Sequence, residues 1–169
     1  MAVARRCALV LLEDAYVRRD RVALVAFRER TARLVLPPTD RPERVHRALE
    51  GLRCGGTTPL AAGLELADRI LDRARRSGAP SVLLLVSDGR ANVGSRRGEE
   101  ALQREVAAAA RSVARRGDVE VVYLDATEEG GDDRAARRLV GLLEGRRITL
   151  WRLLHAGVEP AEAVRRAVT

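Results

Sequence analysis

The feature that most constrains this chain is an unbroken apolar run, residues 82–86 (VLLLV), that stops abruptly at Ser87-Asp88-Gly89. A run of that length, with Pro80 before it and Gly89 after it, predicts a strand buried on both faces, as in a parallel sheet. Ligands of open α/β sheets sit beyond the carboxyl ends of the strands. Asp88 is therefore expected at the rim where such a fold keeps its working carboxylate. A loop aspartate also caps the turn that follows it, and position alone does not separate the two roles.

Other segments repeat the pattern. Residues 21–27 and 119–124 read as further buried strands, 33–36 as a short strand stopped by Pro37-Pro38, and 148–154 as an outer strand. Between them, helices are predicted at 2–16 (stripe Val3, Cys7, Val10, Leu11, Ala15), 42–52, 59–76, 97–116, 132–144 and 159–168. Strands alternating with helices of this length give one domain over residues 1–169. Its expected architecture is a three-layer α/β/α sandwich around a Rossmann-like, open, mostly parallel sheet. Gly130-Gly131-Asp132-Asp133 reads as the most mobile connection.

Composition narrows the function. With 46% apolar but only 2% aromatic residues, the core must be built from Leu, Val and Ala. All 31 basic residues are Arg, and the net charge of +7 favours acidic partners. One Trp, two Tyr and one Phe are too few for the stacking platforms of nucleic-acid binders, and the arginines are interspersed with 24 acids, so an acidic protein surface is preferred. Cys7 and Cys54 form no CxxC pair, no apolar stretch approaches a membrane span, and no signal-peptide pattern opens the chain, so the cytoplasm is the expected compartment. The absence of Lys excludes a Walker-type phosphate loop. No Cys, His and acid cluster suggests nucleophilic catalysis, His46 and His155 read as surface residues, and no catalytic residue is assigned.

One more segment carries chemistry. In Gly55-Gly56-Thr57-Thr58-Pro59-Leu60 the glycines allow a tight turn, Thr58 can cap a helix, and Pro59 suits the first helical position. A cap alone explains the local pattern. Thr58 and Asp88 nevertheless follow turns expected at the same end of the sheet. A carboxylate and a hydroxyl, with waters, form a hard oxygen set suited to Mg²⁺, although two protein ligands rarely hold such an ion unaided.

Residues 55–64 (GGTTPLAAGL) and 84–93 (LLVSDGRANV), with 20–27 (DRVALVAF) as a second strand, resemble the von Willebrand factor type A (VWA) domain. More narrowly they resemble its form at the C-terminal end of the D subunit of magnesium chelatase and of cobaltochelatase-like proteins. The resemblance implies a metal-ion-dependent adhesion site for Mg²⁺ in which Thr58 (Thr57 as fallback) and Asp88 are ligands. The family's Asp-x-Ser-x-Ser turn has no counterpart here. The chain is thus expected to start inside the family's first helix, as an N-terminally truncated form without the first central strand between the strands at Val22 and Val82. Loss of that strand would leave buried backbone amides unpaired at about 1–3 kcal/mol each, and would leave an incomplete, weak metal site. The resemblance further implies a non-catalytic role, coupling an AAA+ ATPase chelatase subunit to metal insertion into a tetrapyrrole by a large chelatase subunit. The alternative is a general VWA protein-binding module outside tetrapyrrole synthesis.

Overall fold

The computed structural model describes residues 20–52, 56–78, 80–95, 98–155, 157–158 and 162. In chain order its elements are β1 (Val22–Arg28), β2 (Thr31–Thr39), α1 (Pro42–Glu50), α2 (Leu60–Arg75), β3 (Ser81–Ser87), α3 (Glu99–Ala114), β4 (Val119–Asp125), α4 (Arg134–Leu143), β5 (Arg146–Thr149) and α5 (Leu150–His155). The helix expected at 2–16, residues Cys7, Cys54 and Gly55, and all of the expected closing helix except Glu162 lie outside the described residues.

The apolar run forms β3, which pairs in parallel with β4 from Ser81↔Val119 to Ser87↔Asp125. β4 pairs in parallel with β5 from Val122↔Arg146 to Asp125↔Thr149. With a partner on each side, β4 is the most enclosed strand, and Val121–Asp125 are all buried. Side-chain alternation along the strands sorts the core by face. Leu85, Val121 and Tyr123 pack with Leu60 and Leu64 of α2, Val106 and Ala110 of α3, and Leu139 of α4. On the opposite face Val122 and Leu124 meet Leu150, with Leu84, Val86 and Ile148 around them. The predicted α/β fold with a parallel sheet is what the chain adopts.

β1 and β2 form a separate antiparallel hairpin. Among the described residues no strand is hydrogen-bonded between β1 and β3, so the two sheets are two- and three-stranded. This corrects the expectation of full burial for residues 21–27 and 82–86. β1 is half-buried along its whole length, and Val82 remains 47% exposed. Helix α2 connects the two sheets, packing on β1, β2 and β3. Its contact with the hairpin is close: a Cβ on Gly63 would lie 2.7 Å from the Phe27 ring. Helices α2 and α3 are joined by Arg116, whose guanidinium binds Asp68 and Asp72, while the Ser112 hydroxyl donates to Asp68 at 3.0 Å.

Three boundaries differ from expectation. β2 runs through Pro37 and Pro38 to Thr39, because the ladder with β1 is irregular between Val22↔Thr39 and Leu24↔Leu36, and a proline at such an interruption removes no ladder bond. The strand expected at 148–154 ends at Thr149, where the β4 ladder also ends at Asp125. Without further backbone partners the chain coils into α5, and Leu150 turns inward. Helix α2 starts at Leu60, with Pro59 in the capping position and no side-chain cap, so Thr58 is not the cap the sequence suggested.

Candidate functional site

The carboxyl ends of β3 and β4 lie side by side and carry two aspartates with opposite fates. Asp125 is fully buried. One carboxylate oxygen accepts the Thr127 amide at 2.9 Å and the Thr127 hydroxyl at 2.6 Å. The other accepts both Nε (2.9 Å) and Nη2 of Arg147. Arg147 also reaches Asp133, which Arg137 binds at 2.9 Å. Asp133 is held below the usual carboxylate range by Arg147 first and Arg137 second. Every lone pair of Asp125 that points into the protein is engaged, so its role is to fix the β4–β5 end.

Asp88 differs. It is half-buried, one oxygen accepts the Arg90 amide at 3.0 Å, and no cation pairs with it among the described residues. The turn that presents it is fixed from below. The Ser87 hydroxyl accepts the Gly89 amide at 3.0 Å, and the Ser87 carbonyl accepts the Ala126 amide at 3.0 Å and the Tyr123 hydroxyl at 2.7 Å. Burial raises the Tyr123 pKa, so that hydroxyl stays a donor at neutral pH. Gly89 has φ +78°, and a Cβ there would meet the Ala136 backbone nitrogen at 2.4 Å. Only glycine lets the first turn of α4 approach the Asp88 turn so closely. The connection expected to be mobile is tied down at the same place. Asp132 is paired with Arg134 at 2.7 Å, and its carbonyl accepts Arg90 at 3.4 Å.

Thr57 and Thr58 enter from the loop before α2. The Thr57 hydroxyl donates to the Glu29 carbonyl in the β1–β2 turn. The Thr58 hydroxyl makes no hydrogen bond among the described residues. Its backbone is bound to Asn92: the Thr58 amide donates to Asn92 Oδ1 at 2.5 Å, and the Asn92 amide donates to the Thr58 carbonyl at 3.3 Å. The loop holding Thr58 and the loop following Asp88 are thereby joined. Beyond Asn92 the second loop is anchored on α3, where Glu105 accepts the Ser95 amide at 2.8 Å and the Ser95 hydroxyl at 2.5 Å. A Cβ on Gly94 would press Glu105 at 2.6 Å. Sequence reasoning assigned no role to Asn92, Ser95 or Glu105. Asn92 was visible only as part of the run after Asp88, and nothing marked Glu105 among the acids of α3.

The donors left available at this rim, the Asp88 carboxylate and the Thr58 hydroxyl, are hard oxygens of the kind that Mg²⁺ takes. Among the described residues no group of three or more His, Cys, Asp and Glu is placed to hold a metal ion. The two donors therefore fit such an ion in kind and fall short of a full protein shell. His46 and His155 are both exposed and distant in role, with His155 paired to Glu129 at 3.3 Å. No described helix is long and apolar enough to cross a membrane.

A parallel sheet under helices, with Asp88 and the Thr58 loop at its carboxyl rim, is an open α/β arrangement that many families share, and comparison with family models narrows it. Residues 1–90 match the von Willebrand factor type A domain, and the chain belongs to that family. Among curated proteins it is 45% identical over 93 residues to the magnesium-chelatase 60 kDa subunit of Cereibacter sphaeroides, covering 55% of this chain and 17% of the relative. It is 31% identical over 154 residues to the magnesium-chelatase 67 kDa subunit of Chlorobaculum tepidum, covering 83% of this chain and 25% of the relative. The chain thus spans a quarter or less of the length of these two relatives. Among solved structures, BatB of Bacteroides thetaiotaomicron superposes with a TM-score of 0.68 over 98% of this chain and 84% of that one at 15% identity, a likeness of fold.

Proposed function

We propose that this chain is the metal-dependent docking domain of a D-type chelatase subunit, with Asp88 and Thr58 contributing to one Mg²⁺ site at the sheet rim. The observation that carries the reading is a pair of oxygen donors on two joined loops, the Thr58 hydroxyl without a hydrogen bond and the Asp88 carboxylate without a cation partner among the described residues, in a chain 31% identical to a magnesium-chelatase subunit over 154 residues. The ion, when bound, supplies an electrophilic contact point for an acidic side chain of a partner. The chain's own residues hold the rim. Tyr123, Ser87 and Gly89 set the Asp88 turn, and Asp125 with Arg147 stiffens the neighbouring strand end. Thr57 takes no part as a ligand in this reading, because its hydroxyl serves the Glu29 carbonyl.

The partner is an AAA+ ATPase subunit, and the domain transmits ATP turnover to a large subunit that inserts the metal into a tetrapyrrole. Neither step requires a catalytic residue here. The excess of arginine over acids suits an acidic partner face. The test is co-purification of the intact D-type subunit with the ATPase subunit in Mg²⁺ buffer. Asp88→Ala is expected to abolish the complex, and EDTA to weaken the wild-type complex in the same way. An Asp88→Ala subunit that co-purifies as well as wild type rejects the proposal.

A further inference from the structure

We infer that Asn92 is a positioning residue that clasps the Thr58 loop to the Asp88 loop, so that the two donors are presented as one unit. The inference rests on the metal site proposed above and names a residue that the site's ligand chemistry does not require. Asn92 meets a single residue of the other loop twice, once through its side chain and once through its backbone amide. Its side-chain carbonyl accepts the Thr58 amide at 2.5 Å, and its own amide donates to the Thr58 carbonyl at 3.3 Å. Residues 58 and 92 are far apart in sequence, so this pair fixes the relative height of two loops that no ladder joins among the described residues.

The surroundings leave Asn92 as the point of control. Thr57 ties the first loop to the β1–β2 turn through Glu29. Arg90 and Ser95 tie the second loop to Asp132 and Glu105. Each of those contacts anchors one loop to the body of the domain, whereas the Asn92 contact crosses between the loops. Asn92 is exposed, so shortening its side chain removes no core packing. It differs in this from Gly89 and Tyr123, where substitution disturbs the fold itself. Residues that orient metal ligands from outside the ligand set commonly change affinity about 10- to 100-fold when replaced.

The test uses the ¹⁵N-labelled chain and two readouts on wild type, Asn92→Ala and Asn92→Asp. The first is hydrogen exchange of the Thr58 amide, expected to quicken about tenfold in Asn92→Ala, where the acceptor is gone, and to stay near wild type in Asn92→Asp, which keeps an acceptor oxygen. The second is Mn²⁺ broadening of the Asp88 and Gly89 amide signals, whose half-effect concentration is expected to rise about tenfold in Asn92→Ala and much less in Asn92→Asp. Unchanged Thr58 exchange in Asn92→Ala overturns the clasp whatever the metal does. Faster exchange with an unmoved Mn²⁺ half-effect overturns its positioning role. If Mn²⁺ leaves the wild-type signals untouched, the positioning role in this chain falls, the exchange measurement alone decides whether the clasp exists, and co-purification of the intact subunit decides the metal reading separately.

Discussion

Asp88 and Asp125 end neighbouring strands in register one residue apart, and their surroundings give them different work. Asp125 is enclosed and accepts from Thr127 and Arg147, so Asp125→Ala leaves a cation that is only 22% exposed without its main partner. The expected loss is about 3 kcal/mol, the lower end for a broken buried pair because the arginine keeps some solvent. Urea unfolding checks it, and a loss below about 1 kcal/mol would contradict the burial argument. Gly89→Ala is expected to lose about 1–3 kcal/mol in the same assay, since it meets both positive φ and the α4 backbone. Asp132 offers a check by titration. Its hydrogen bonds with Arg134 hold its pKa at about 2, below the unfolded value. The contribution is therefore complete above the ordinary aspartate range and is lost as pH falls towards about 2. A ¹³C carboxyl titration should show that midpoint in the wild type and a return towards the ordinary value in Arg134→Ala. At this scale the sequence disclosed Asp88 through the strand that stops before it. It could not disclose Asn92 or Glu105, whose roles depend on which loop faces which helix.

Helix α2 has the widest duties among the elements. It supplies Leu60 and Leu64 to the core above β3 and β4, and it also seats the hairpin through Phe27 against Gly63. Gly63→Ala would push the Phe27 ring away by demanding space at 2.7 Å, and is expected to destabilise by about 1–3 kcal/mol. Thermal unfolding should register that loss, and Phe27→Leu combined with Gly63→Ala should recover part of it by opening room at the same contact. Most elements were legible because their apolar period matches their packing: α1 buries Val45 and Leu49, and α3 buries Leu102, Val106, Ala109 and Val113. The errors arose where tertiary context overrode local pattern. Residues 150–154 are apolar enough for a strand, but β4 offers no ladder beyond Asp125, so they coil. Pro37 and Pro38 punctuate a strand in most sequences, yet here they sit at an irregular step of the ladder that needs no amide from them.

Among the described residues the strands form two sheets packed on one helix, and this division follows from pairing rather than from composition. β4 is bonded on both sides over its last residues, while β3 and β1 each have a single partner strand among the described residues. The apolar run at 82–86 on its own argued for a strand enclosed on both faces, whereas among the described residues β3 has a strand partner on one side only. Val82 is 47% exposed, whereas Val122 and Leu124 are completely buried. Hydrogen exchange of this chain should reproduce that order. Along a parallel strand alternate amides point to opposite neighbours, so about half of the β3 amides are expected to bond to β4 and exchange slowly, and the rest to exchange faster. In β4 the amides of residues 122–125 have a partner strand on either side and should all be slow. If every β3 amide proved as slow as those of β4, a further strand would lie against its other edge and the two-sheet description of these residues would be wrong. If instead β4 exchanged as quickly as β3, the central position assigned to it by register would fail.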